Sequence, residues 1–240
     1  MMMSRAFLIL FSALTLTACA TNPEIDQCQT KPIAPPLQNK IQIIQKPIDF
    51  GKIRIELTKA YISKHYGKEV DDITITPRVI VLHYTAIGLL DASYDALKPQ
   101  TLRGGRKDIA KASALNVSAH FLVDRNGMIY QLMPDNWMAR HVIGLNYYAI
   151  GVENVAKDAN DLTASQVEAN IKLVKYLKQK YPTIEYLIGH HEYRQMEQTS
   201  LWLEKDKGYR TVKYDPGEKF MQEVRSGVKW LGLKESPKGK

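Results

Sequence analysis

An α/β fold, with a mixed central β-sheet flanked by helices, is the expectation for this chain. Two patterns predict it. Short, mostly apolar runs recur at 78–84, 117–123, 149–155 and 186–189, the first of them rich in β-branched residues. Among them lies a segment of clear helical period, 163–181. Composition agrees. Of 240 residues, 45% are hydrophobic and 24% charged, which excludes a wholly disordered chain, and 14 Gly with 11 Pro exclude a fibrous one. No internal repeat is visible.

The elements follow in order. Residues 1–18 read as a signal peptide: Arg5 supplies the positive charge, and Ala6 to Thr17 form an apolar stretch. Twelve residues are too few to span a bilayer of roughly 30 Å as a helix. Leu16-Thr17-Ala18-Cys19 resembles the lipobox of bacterial lipoproteins, in which the cysteine becomes the lipid-bearing first residue. Plain secretion and an uncleaved anchor are the alternatives. Residues 19–49 hold five of the eleven prolines, which suits an extended, semi-rigid tether. Cys19 and Cys28 are the only cysteines, so no disulfide framework, four-cysteine zinc site or cysteine nucleophile is expected in the body.

The body is expected over 50–233, followed by a tail at 234–240. Arg78 to Tyr84 reads as a buried strand that ends at His83, and Val117 to Val123 as a second strand. Asp124-Arg-Asn-Gly127 is a turn signal, with Met128 to Met133 completing a hairpin. Ala149 to Val155 is a further strand. Thr163 and Gln166 match a capping box, and Val167, Ile171, Val174 and Leu177 recur at helical spacing up to Tyr181-Pro182. Tyr186 to Gly189 is a strand that runs into His190. Residues 91–103 and 218–230 are expected as helices.

Histidine placement points to chemistry. Of six histidines, His83 and His190 sit where predicted strands end, where α/β sheets usually place ligand and catalytic groups. Asp215, in Lys213-Tyr-Asp215-Pro-Gly217, supplies a nearby acid type. A catalytic zinc takes three protein ligands and keeps one position open, and His83, His190 and Asp215 suit such a set. By spacing alone, each is more readily a satisfied structural residue.

These residues belong to a longer pattern. Val81-Leu-His83-Tyr-Thr-Ala86, Val117-Ser-Ala-His-Phe-Leu-Val-Asp124, Gly127-Met-Ile-Tyr-Gln-Leu132, Arg140-His141, Asn146, Ile150-Gly-Val-Glu153, Gly189-His190-His-Glu192 and Lys213-Tyr-Asp215-Pro-Gly217 occur in this order. Together they resemble the zinc-dependent N-acetylmuramoyl-L-alanine amidases of the type-2 family, related to phage lysozyme-type amidases and peptidoglycan recognition proteins. The resemblance covers about residues 78–220. It implies the corresponding fold, one zinc ion on His83, His190 and Asp215, and hydrolysis of the amide that joins N-acetylmuramic acid, or its anhydro form, to L-alanine. It also implies that Glu153 is the proton-transferring base and that Lys213 stabilises the oxyanion. Apart from the resemblance, Glu153 is more readily a surface carboxylate or part of a salt bridge.

The resemblance aligns His141 and Asn146 with a substrate-groove segment, although Arg140 replaces the family's tryptophan there, and His141 is nearly as readily a structural histidine. His120 is expected beside the ligands or in the packing, and His65 in the structure. His191 points opposite to His190 on an extended stretch and is not the expected ligand. The stretch at 193–212, partly apolar, is longer than in compact members of the family; it is either a wall or lid near the metal or a packed surface loop. Only 20 residues follow Phe220, so no wall-binding domain is expected there.

The formal charge of +8, from 33 basic and 25 acidic residues, suits an anionic partner without choosing one. Peptidoglycan or a muropeptide is the expected partner, with a membrane contacted through lipid on Cys19. The expected location is the outer membrane facing the periplasm, and the expected state a monomer. A nucleic-acid binder is disfavoured, since no basic-aromatic recognition motif appears. A muropeptide-binding module and a structural envelope lipoprotein are the competing classes; the complete set of ligand-type residues weighs against both.

Overall fold

The computed structural model describes residues 41–104 and 107–238. The signal peptide, Cys19, Cys28 and the first part of the tether lie outside the described residues. Six strands form one sheet: β1 (Ile43–Gln45), β2 (Val79–Tyr84), β3 (Phe121–Val123), β4 (Ile129–Gln131), β5 (Ala149–Asn154) and β6 (Tyr186–Gly189), in the spatial order β1-β4-β3-β5-β2-β6. The strands β3, β5, β2 and β6 run parallel, and β4 is antiparallel to β3. The expected mixed sheet with flanking helices is what the structure shows.

Two helices cover one face: α4 (Ala164–Lys180) and α5 (Glu218–Val228), numbered after α1 (Lys52–Tyr61), α2 (Leu90–Leu97) and the single turn α3 (Lys107–Ala110). The capping box at the start of α4 is present, with Gln166 N donating to Thr163 Oγ1 at 3.2 Å and Thr163 N donating to Gln166 Oε1 at 3.0 Å. Such a cap is worth about 1 kcal/mol. Because side chains alternate along a strand, Ile80, Leu82, Ile150 and Val152 face α4 and α5, packing on Leu173, Val174, Leu177 and Met221. The alternate residues Val79, Val81 and Ala149 face a second core containing Tyr61, Ile73, Leu145, Tyr193 and Met196. By the same parity, His83 and Glu153 lie on this second face. It is the face that α4 and α5 leave uncovered.

The structure moves several boundaries. The tether does not extend to residue 49: β1 pairs in parallel with β4, and Ile48 is buried. The tail does not begin free at 234, because Lys234 N bonds Glu185 O and Ser236 is buried against Gln195. The strand expected over 117–123 is regular only from Phe121. Upstream, Ser118 N donates to Arg140 O, outside the sheet ladder. The helix expected over 91–103 spans only Leu90–Leu97, and the one expected to 230 ends at Val228 before a 3-10 turn.

Candidate metal and catalytic site

Three strands deliver the site at the carboxyl ends of the sheet. His83 is near the end of β2 and Glu153 near the end of β5. The parallel register sets these two side by side on the uncovered face. Leu82 pairs with Gly189 on the other side, so His190, the next residue after β6, emerges beside His83. Asp215 reaches the same point from the loop before α5.

The polar atoms converge closely. His83 Nδ1 lies 3.0 Å from His190 Nδ1 and 3.1 Å from Asp215 Oδ2, and His190 Nδ1 lies 3.0 Å from Asp215 Oδ2. Among the described residues this is the one cluster of three or more His, Cys, Asp or Glu able to hold a metal ion. His83 and His190 are buried and Asp215 is partly so. Burial pushes the His190 imidazole down to about 4, a shift the Asp215 carboxylate opposes without cancelling. Burial acts on the Asp215 carboxyl in the opposite sense and would raise it; the charges and hydrogen bonds of His190 and His83 outweigh this and hold it far below the usual carboxylate range.

A chain of hydrogen bonds sets which nitrogen of His83 faces the cluster. His141 Nε2 lies 3.3 Å from Ala149 O, an acceptor only, so Nε2 carries the proton and Nδ1 accepts. That Nδ1 lies 3.0 Å from His83 Nε2, which therefore donates. The Nδ1 lone pair of His83 is left facing His190 and Asp215. A side chain cannot replace the hydrogen of Gly151 on β5, because a Cβ there would stand 2.7 Å from the His141 ring. Burial first, and then the neighbouring histidines, keep the His141 pKa well below the ordinary histidine value.

The other expected residues fall as follows. Glu153 and Lys213 line the cavity that holds the cluster, as do His141 and Asn146. Asn146 Oδ1 accepts from His141 N and Val142 N, at 2.9 and 2.8 Å, fixing the loop that presents His141, while its Nδ2 is buried without a hydrogen-bond partner. His191 stands outside the cluster and clamps its third member. Its backbone N donates to Asp215 O at 2.8 Å, and its Nε2 lies 3.1 Å from Glu218. His65 is buried between Glu204 and the Ala112 carbonyl. The stretch at 193–212 is built into the body: Tyr193, Met196 and Leu201 are buried, and the Trp202 ring covers Gly144, whose φ of +80° suits glycine. Its last residues, Tyr209 and Thr211, form part of the cavity wall.

His120 is fully buried, with Nε2 2.8 Å from Trp137 O and Nδ1 accepting from Gly151 N at 2.9 Å. Both ring nitrogens are engaged, so it has no lone pair left for a metal. Burial lowers its pKa to about 4, against a smaller rise from the Trp137 carbonyl. The unfolded value is roughly 6.5, so between the two the unfolded chain binds the extra proton. Its contribution to stability is complete above pH 6.5 and falls as the pH drops towards 4. Urea unfolding of the wild type and His120→Gln at several pH values should show a shallower acid slope in the variant, by up to about one proton. Equal slopes would remove His120 as the cause.

Comparisons with known proteins bear on the same segment. Residues 74–218 match the family described as N-acetylmuramoyl-L-alanine amidase (Amidase_2). The chain is similar to the 1,6-anhydro-N-acetylmuramyl-L-alanine amidase AmpD of Haemophilus influenzae, at 28% identity over 128 residues, covering 43% of this chain and 70% of that protein. Among solved structures, the N-acetylmuramoyl-L-alanine amidase LysC from Clostridium intestinale is 19% identical, covering 81% of this chain and 100% of its own, with a TM-score of 0.48. The amidase AmiD from E. coli, in complex with an anhydromuramyl tripeptide, is 22% identical, covering 65% of this chain and 60% of its own, with a TM-score of 0.41.

Proposed function

The chain belongs to the N-acetylmuramoyl-L-alanine amidase family, and from that premise we propose that it hydrolyses the amide joining N-acetylmuramic acid, or its 1,6-anhydro form, to the L-alanine of a peptidoglycan stem or muropeptide. The observation that carries this is the meeting of His83 Nδ1, His190 Nδ1 and Asp215 Oδ2 in a cavity that also presents Glu153 and Lys213.

The donor set fits one zinc ion. Two imidazole nitrogens and one carboxylate oxygen leave a fourth position open, the pattern of catalytic zinc. The protonation states fit as well: His83 presents a lone pair, burial favours neutral His190, and Asp215 is held ionised. The Nδ1 lone pair of His83 and the Asp215 carboxylate, 3.1 Å apart, repel one another unless a cation stands between them. When bound, zinc polarises a carbonyl and lowers the pKa of water towards roughly 7.

The protein's own groups do the rest. Glu153, mounted on β5 beside His83, takes the proton of the attacking water and delivers it to the departing amine. Lys213 stands two residues before Asp215 on the same wall, and its ammonium faces the oxygen on which charge develops. His141 holds His83 in the tautomer that presents Nδ1, so it is a positioning residue.

The test is incubation of the protein with muropeptides, followed by mass analysis of the products. The expected products are the free peptide and the muramyl sugar, lost on chelation and restored by zinc. Cleavage that persists after chelation, or cleavage at another bond, would overturn the proposal.

For the N-terminus, we propose a lipid on Cys19 that holds the chain at the outer membrane facing the periplasm, since buried CH₂ groups supply the membrane affinity. Cys19→Ser should move the protein from the membrane to the soluble fraction. Unchanged fractionation would rule out that anchor.

A further inference from the structure

The segment that brings Asp215 to the cluster also builds the cavity wall. Tyr209, Thr211, Lys213 and Asp215 all line the cavity, while Val212 and Tyr214 between them are 71% and 74% exposed. This is the two-residue period of an extended chain. It makes the wall a rail that leads away from the ligands. At roughly 3.3 Å per residue, Thr211 stands about 13 Å from Asp215 along it.

Arg140 stands at the far end of that rail. It is buried and lines the same cavity. Its Nη1 donates to the carbonyls of Ser113 and Leu115, and its Nη2 to Ile109 O and to the Tyr209 hydroxyl, the latter at 3.1 Å. Among the described residues no carboxylate pairs with it. Its Nε–H is buried without a hydrogen-bond partner, and so is Thr211 Oγ1 on the rail. Because the Tyr209 hydroxyl accepts from Arg140, its own proton remains available to a ligand.

A buried cation and buried donors without partners are costly unless something answers them. The Tyr61 ring, with its centroid 5.3 Å from Arg140 Cζ, faces part of that charge; the groups that remain are an N–H of the guanidinium and two hydroxyls. Their complement is a carboxylate, the acceptor that guanidinium and hydroxyl donors bind best.

We propose that Arg140, Thr211 and Tyr209 form a carboxylate subsite that takes the C-terminal carboxylate of a peptide arm about three residues beyond the scissile amide. This assignment rests on the amidase reading for the direction of the substrate. Three extended residues reach roughly 10 Å, which matches the span from the ligands to Thr211 within the length of a side chain.

The test compares N-acetylmuramoyl-L-alanyl-D-γ-glutamyl-L-lysine with its C-terminal carboxamide. Binding is read by calorimetry on zinc-loaded Glu153→Gln protein, and steady-state kinetics are read on the wild type. The acid should bind about 10-fold tighter or more, the range for a hydrogen bond to a charged group. In the wild type the difference should appear in KM more than in kcat. Thr211→Val and Tyr209→Phe, each introduced also into the Glu153→Gln background for binding, should narrow the preference by about 3-fold or more each. These two keep the side-chain shape and spare the Arg140 bonds that hold the loop at 109–115. Equal binding of acid and amide, no binding of either, or a preference untouched by both variants would overturn the subsite. Hydrolysis of both forms with equal KM would overturn it while leaving the amidase reading intact. Preferred binding of the acid without hydrolysis would retain the subsite and sink the amidase reading instead.

Discussion

His83→Ala should reduce zinc from about one per chain to near zero and abolish turnover. His83 contributes one of only three protein ligands, and with alanine there the remaining pair, His190 and Asp215, offers too few donors for a tight zinc site. The fold should survive. The side chain sits at the end of β2, and the core residues Val79, Val81, Ile80 and Leu82 that anchor this strand are untouched. The measurements are metal analysis, a muropeptide assay and circular dichroism on one sample. A folded variant that retains full zinc and activity would sink the ligand assignment. A variant that loses its fold would show that the histidine also holds the strand, and His83→Asn would then serve as the milder change.

The residues that were legible in the sequence are those whose role follows from one strand. A parallel strand buried on both faces reads as an unbroken apolar run, and Val79 to Leu82 do, so the polar residue that ends the run stands out. The same holds for Tyr186 to Gly189 before His190. Helix α4 was legible from its cap and its period. The two edges of the domain were not. Strand β1 is three residues long at a sheet edge, with prolines on both sides, and so short a strand has no period to detect. Helix α1 is concealed differently. Ile53, Ile55 and Leu57 alternate as in a strand, whereas the buried positions are Arg54, Thr58 and Tyr61, spaced as on a helix. The stripe is polar because Arg54 caps carbonyls, donating to Asp49 O at 2.7 Å and to Leu97 O at 3.0 Å.

The site was legible to the depth of its ligand-type residues and no further. What lies behind them depends on contacts between distant segments. His141 and Asn146, expected at the substrate groove, do line the cavity. In the structure, His141 bonds a residue 58 positions away, and Asn146 organises the loop that carries it. A local signal for Asn146 exists, because an amide oxygen that bonds the backbone four and five residues earlier is an ordinary loop device. For His141 the only hint is Gly151, whose missing side chain makes room for the ring. The wall made by the stretch at 193–212 also depends on long-range packing, with Tyr193 Oη donating to Thr211 O at 2.6 Å and folding the stretch back on itself.

Glu153→Gln should lower kcat by roughly 10²–10⁴, the usual range for a general acid–base group, and leave zinc content near the wild-type level. The geometry separates these two effects. Glu153 pairs with His83 in register and shares its face, yet it contributes no atom to the cluster of His83, His190 and Asp215. Glutamine keeps the shape and the hydrogen-bonding reach of the side chain and removes only its capacity to take a proton. Lys213→Ala should cost on the order of 10²–10³ in kcat, as for removal of an oxyanion donor, again with zinc retained. Both losses should exceed the change in substrate affinity, because each group acts most strongly as charge develops in the transition state. Metal analysis together with single-turnover kinetics on a muropeptide distinguishes the outcomes. Loss of zinc in either variant would make that residue part of the metal's support, not of the chemistry. Near-normal turnover in Glu153→Gln would place the base elsewhere. His141 would then be the first residue to test, since its Nδ1 accepts a hydrogen bond from His83 and the residue lines the same cavity.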